Sequence, residues 1–106
     1  MSADFPVGVP FNIAGYALLT HMFAHQLNMQ PGLFIHTFGD AHIYVDQIDG
    51  VKELLARVDN PDIEVPALPR LIIKTEAKTM FDYKVSDFIL EGYEPLKPQI
   101  KFPVAE

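Results

Sequence analysis

The stretch from Phe11 to about Met29, FNIAGYALLTHMFAHQLNM, sets the hardest condition on any fold this chain can adopt. It is helical in type and bracketed by Pro10 and Pro31, with Asn12 placed near the N-cap. Its few polar residues are scattered around the wheel rather than gathered on one stripe. A helix apolar on most sides has to be walled by other structure. The chain has only 106 residues, and little of it is left to supply covering layers. The expectation is a buried central helix, with part of its core absent from these residues or supplied by a partner.

The remaining elements read as α+β, with a strand-rich second half. Residues 1–10 hold two prolines and a glycine and predict an extended lead-in. Residues 33–45, LFIHTFGDAHIYV, are aromatic and β-branched, which predicts a strand bent or bulged near Gly39-Asp40. Past the bend, His42 and Tyr44 fall on one face. Residues 46–58 predict an amphipathic helix with Val51, Leu54, Leu55 and Val58 at helical spacing. A proline-rich loop follows, then a short buried strand at 70–74. Residues 82–93 predict a turn leading into another strand. The tail EPLKPQIKFPVAE is too rich in proline for helix. No repeat or low-complexity tract interrupts what reads as one domain over 1–106.

Composition excludes several classes. A formal charge of −6, from 14 acidic against 8 basic residues, repels polyanions, so no nucleic-acid partner is expected. The apolar run from Ile13 to Leu27 is too short and too interrupted to span a bilayer. Residues 1–10 lack the basic and apolar regions of a signal peptide, so the expected location is cytoplasmic. The absence of cysteine removes disulfides, zinc-thiolate sites and a thiol nucleophile from these residues. His21 and His25 share one helix side, but a zinc site needs a third ligand, and Met22 stands where H-E-x-x-H carries glutamate. No metal is expected.

Two features remain that suit a small polar ligand. A primary amide such as that of Asn12 presents a donor beside an acceptor, which matches C=O next to N–H on a uracil edge and mismatches cytosine. A plain helix cap explains the same residue. His42 and Tyr44 are spaced to hydrogen-bond one sugar hydroxyl, and equally to form a half-buried strand face with satisfied polar tips. The carboxylates Asp4, Asp40, Asp46 and Glu91 show no pairing in sequence, and Ser2 and Ser86 lie in no nucleophile elbow.

Taken together, SADFPVGVPFNIAGYALLTHMFAH, GDAHIYVDQID, FILEGYEP and IKFPVA resemble the C-terminal part of thymidylate synthase, in the family's order and spacing from about Ser2 to Ala105. That resemblance implies the family's sheet with a buried central helix, here in part. It implies an enzyme, a methyltransferase that converts dUMP to dTMP with 5,10-methylenetetrahydrofolate as one-carbon donor and reductant. In the family a cysteine thiolate adds to C6 of the uracil ring. By resemblance Asn12 reads uracil O4 and N3, His42 and Tyr44 hold the 3′-hydroxyl, and Ser2 contacts phosphate within an R-S-x-D motif. Asp4 corresponds to the aspartate that binds the pterin ring, and Val7, Gly8 and Phe11 line up around the folate. Val104 and Ala105 belong to the segment that closes over it, with Glu106 where many members have an apolar residue. The related dCMP hydroxymethylases carry aspartate at the Asn12 position, so asparagine favours uracil.

The departures from the family are equally specific. Its nucleophile lies in an upstream P-C-H motif, and no catalytic residue is assigned to this chain. Met1 stands where the phosphate-binding arginine is expected, and neither Arg57 nor Arg70 matches the family's other phosphate arginines. Without a thiolate there is no covalent activation of C6. Two readings follow: a piece of thymidylate synthase that works beside an N-terminal half, or a non-catalytic nucleotide-binding or assembly module derived from the family. Family members are homodimers, so self-association or pairing with an N-terminal half is expected.

Overall fold

A computed structural model describes residues 2–104; the expectations for Ala105 and Glu106 lie outside them. The elements run β1 (Ala3–Asp4), α1 (Gly8–Gln26), β2 (Ala41–His42), α2 (Ile48–Asp59), β3 (Arg70–Ile73) and β4 (Phe88–Glu91). Single 3-10 turns occupy Val45–Gln47, Met80–Asp82 and Val85–Asp87. The architecture is α+β, as the sequence indicates. No helix among the described residues is long and apolar enough to cross a membrane.

The chain divides into two units, and the division falls inside α1. The first contains the residues up to Ala14, His36–Val65 and the segment from Leu96 onward. Here β1 and β2 pair in parallel with Ala3 opposite Ala41 and Asp4 opposite His42. The pair is extended by Ala3 N–H donating to Asp40 C=O at 2.7 Å and Phe5 N–H to His42 C=O at 2.9 Å. The Phe5 and Phe38 rings meet at 5.7 Å. On α2, Gly50 lets the tail approach: a Cβ there would lie 2.6 Å from Phe102 Cε1 and 3.3 Å from Ile100 Cγ2.

The second unit contains Gly15–Ile35 and Pro66–Pro95. Its ladder is antiparallel, pairing Leu71 with Leu90, Ile72 with Ile89 and Ile73 with Phe88. Apolar β-branched and aromatic partners at these positions are what stabilise a pleated pair. The Gln26 side-chain amide donates to the carbonyls of Ala77 at 3.1 Å and Lys78 at 3.0 Å. His25 Nδ1 and the Tyr83 hydroxyl share a 2.7 Å hydrogen bond.

Six expectations change. The lead-in is not extended throughout, because α1 begins at Gly8. Pro10 fits in its first turn, where a missing N–H removes no intrahelical bond. Asn12 therefore sits in the second turn and is not an N-cap. The helix ends at Gln26 rather than Met29: Asn28 turns left-handed at φ 53, its N–H reaches His25 C=O, and Met29 N–H reaches Ala24 C=O at 2.8 Å. That is the paired closure by which a left-handed residue satisfies the last carbonyls of a helix.

The central helix is also not buried by these residues. Val9 and Ala24 are its buried apolar positions, while Phe11 is 77% and Tyr16 58% exposed. The covering layers that its composition requires are not built from residues 2–104. For the same reason Leu54, Leu55 and Val58 of α2, correctly placed on one stripe, stand exposed. The 33–45 strand contracts to Ala41–His42, because the neighbour that ladders with it, β1, is only two residues long. Strand β3 is half-buried rather than buried.

Candidate functional site

The site residues expected from sequence fall in the first unit, around the β1–β2 pair. Asp4 and His42 are direct partners in the ladder. In-register residues of adjacent strands project to the same face, so the carboxylate and the imidazole share one surface. Tyr44, two residues beyond His42, packs its ring against the imidazole at 4.8 Å in an edge-on arrangement. Asp40 approaches from the other side, its Oδ1 3.6 Å from His42 Nδ1. Asp40 is well exposed and the contact is longer than a hydrogen bond, so it adds little to stability.

Two atoms in this group stand out. Asp4 Oδ1 and His42 Nε2 are buried, and neither has a hydrogen-bond partner. A buried polar atom with no partner is destabilising, and native proteins rarely leave one without a role. One of these atoms is a carboxylate acceptor. The other is a ring nitrogen that donates or accepts according to tautomer. A ligand offering an N–H beside Asp4 and a hydroxyl beside His42 would complete both.

Helix α1 starts next to this pair. A Cβ on Gly8 would lie 3.6 Å from Asp4 Cβ, so the helix start and β1 are in close approach. Val7 and Phe11 face a groove of about 450 Å³ whose other wall is the tail from Gln99 to Phe102. A second recess of about 360 Å³ is lined by Phe5, Ala41, His42 and Ile43.

Ser2 and Asn12 are not drawn into this cluster. Both are exposed, and among the described residues neither side chain makes a hydrogen bond. For Asn12 that removes the cap explanation and leaves its amide edge free. Val104 is exposed, and Ala105 lies beyond the described residues. Among the described residues no three histidine or acidic side chains group as a metal site.

Sequence reasoning missed Gln47. It is fully buried at 0% exposure, and its carboxamide uses both ends. Oε1 accepts from Tyr44 N–H at 3.0 Å, while Nε2 donates to Asp4 Oδ2 at 3.3 Å and to Pro103 C=O at 3.1 Å. Its own N–H donates back to Tyr44 C=O at 2.9 Å, closing the 3-10 turn. The available signal was weak: a glutamine three residues past a turn start is half of a capping box, but Tyr44 is not a capping residue.

Comparison with known proteins then gives a consistent answer. The family model for thymidylate synthase matches residues 1–106. The thymidylate synthase of Listeria monocytogenes serovar 1/2a is 48% identical over 104 residues, which is 98% of this chain and 31% of that protein. The thymidylate synthase of Listeria innocua serovar 6a gives the same identity and the same coverage. The chain thus spans about a third of the length of these curated relatives.

Proposed function

This chain belongs to the thymidylate synthase family, and from that premise we propose that it is the C-terminal part of such an enzyme. In this reading it supplies the groups that read the uracil and deoxyribose of dUMP and the pterin of 5,10-methylenetetrahydrofolate. The complete enzyme is a cytoplasmic homodimer that methylates dUMP to dTMP, the folate supplying the one-carbon unit and the reducing equivalents when bound. The observation that carries this reading is the pair of buried, unpartnered atoms Asp4 Oδ1 and His42 Nε2 on one strand face.

Each residue has a defined task. The Asn12 carboxamide donates to a ring C=O and accepts from the adjacent N–H, an arrangement uracil has and cytosine lacks. His42 Nε2 and the Tyr44 hydroxyl take the 3′-hydroxyl between them. The Asp4 carboxylate accepts from a pterin N–H, a charge-assisted bond made stronger by its partly buried setting. Val7, Gly8 and Phe11 shape the apolar flank of the folate, with Val104 and Ala105 as its cover and Ser2 at the phosphate. The exposed apolar circumference of α1, including Phe11, Tyr16 and Phe23, would be covered by the N-terminal half of the enzyme or by a second copy.

With no cysteine among its 106 residues, this chain alone is expected to form no dTMP from dUMP. Addition of an N-terminal half carrying the thiol should restore turnover. The binding reading is tested by titrating the purified chain with dUMP and, separately, dCMP while following backbone amides. Shifts at Asn12, His42 and Tyr44 with dUMP alone are the expected result. An equal response to the two nucleotides would remove the assignment of Asn12.

A further inference from the structure

Gln47 joins three segments that the proposed function treats as separate. Its amide reaches β1 through Asp4 Oδ2, the loop after β2 through Tyr44 N–H, and the tail through Pro103 C=O. The Tyr44 bond spans three residues and is local, but Asp4 and Pro103 lie 43 and 56 residues away in sequence, where no local rule brings them to one amide. A carboxamide is the one side-chain group that both accepts the Tyr44 N–H and donates two hydrogens to other acceptors. The two bonds donated by Nε2 use its full capacity, and one of them settles the Asp4 carboxylate. Oδ2 is occupied from within, and Oδ1 is left buried and open.

A second observation concerns the same tail. Gly50, three residues along from Gln47, lets the Phe102 ring lie close against α2, since a Cβ there would stand 2.6 Å from its Cε1. The tail is therefore seated at two adjoining points, one polar and one apolar. Both lie within one turn of the start of α2.

We propose that Gln47 is a positioning residue that docks the tail segment around Pro103 and at the same time aims Asp4 Oδ1 at the folate. Tail docking and carboxylate orientation are two bonds of one amide nitrogen, so a change in one is felt by the other. The site thereby senses whether its cover is seated. The ligand half of this inference rests on the folate reading of Asp4; the tail half stands on the structure alone.

The test uses the purified chain and the variant Gln47→Glu. That substitution keeps the shape and the acceptor for Tyr44 N–H, and it replaces the two donors with an acceptor facing Asp4 Oδ2 and Pro103 C=O. The expected result is that the Tyr44 amide signal stays in place while those of Lys101, Phe102 and Val104 move to undocked positions. The response to tetrahydrofolate should weaken by about tenfold, the scale of one charge-assisted hydrogen bond, and the response to dUMP should be retained. A group that merely fills space would not separate the two ligands. Tail signals and a tetrahydrofolate response identical to the unmodified chain would overturn the proposal. If the unmodified chain answers neither ligand, the folate reading fails, and the tail signals still decide the docking role. Should the variant not fold, the unmodified chain supplies the measurement: the Gln47 side-chain NH₂ must exchange with solvent far more slowly than those of the exposed Gln30 and Gln99. Equal rates would overturn the proposal.

Discussion

The three 3-10 turns use one device with different chemistry. In the second unit Asp82 Oδ2 accepts from Thr79 N–H at 2.9 Å, and Asp87 Oδ2 accepts from Lys84 N–H at 2.8 Å. In the first unit Gln47 Oε1 accepts from Tyr44 N–H at 3.0 Å. In each case a side chain reaches back three residues to satisfy the turn's first donor. The aspartates are acceptors only and sit exposed or half-buried; Asp82 Oδ2 also accepts from the Thr79 hydroxyl at 3.0 Å, a bond within the same turn. Gln47 is buried, and its amide nitrogen still has two hydrogens to donate, which go to Asp4 and Pro103. The same local turn is scaffolding in one unit. In the other it is the junction through which three parts of the candidate site are held.

The strongest way to break this comparison is Gln47→Leu. It leaves Asp4 Oδ2, Pro103 C=O and Tyr44 N–H without their partner, and each unmade bond of this kind costs about 1–3 kcal/mol. Amide hydrogen exchange should show first-unit protection falling by about 3 kcal/mol or more. Protection at Ile72 and Ile89 in the β3–β4 ladder should hold. Loss of protection in both units alike would mean that the two turns do not differ in the way described.

His42→Ala comes next. It removes Nε2 from the site and leaves Gln47 untouched. The dUMP response should weaken by about tenfold, equivalent to roughly 1.4 kcal/mol, with the tail signals of Phe102 and Val104 in place. Undocking of the tail in this variant would show that Gln47 is not the junction.

Gly50→Ala probes the apolar contact beside the polar one. Alanine favours helix over glycine by about 1 kcal/mol, so α2 should melt no earlier. The Phe102 ring must nevertheless move, because the new Cβ would stand 2.6 Å from Cε1. Changed Phe102 ring shifts with an intact helix signal are expected, and unchanged ring shifts would exclude the close seat.

Asp87→Asn should do least. An amide oxygen still accepts from Lys84 N–H, so thermal unfolding should report a change within about 0.5 kcal/mol. A larger effect would give the second-unit turn a role of its own.

Much of this arrangement was legible beforehand, for identifiable reasons. Helix α2 declares itself through Val51, Leu54, Leu55 and Val58 at helical spacing, and β3 and β4 through short apolar runs between turn residues. Period and composition act locally, so they survive whatever the rest of the fold does. His42 and Tyr44 share a face for the same reason, and their rings do meet. The start of α1 was misplaced because Pro10 reads as a stop until it is seen inside a first turn, where it is harmless. Its end was misplaced because left-handed Asn28 closes the helix at Gln26, three residues before Met29. The long 33–45 strand failed because extended structure depends on its neighbour, and the neighbour here is short.

By itself the sequence determined the class of the elements and the family, and it offered Asp4, Asn12, His42 and Tyr44 as candidate ligand-reading residues. It also announced, in the uniformly apolar α1, that 106 residues would leave a helix face uncovered. The tertiary structure alone decided that Asp4 stands opposite His42, that one atom of each is buried and open, and that Gln47 is the side chain joining Asp4 to the tail. Those facts depend on contacts between residues 43 and 56 positions apart. A glutamine in a row of letters shows its hydrogen-bonding capacity but not its partners, because only burial removes water as the alternative.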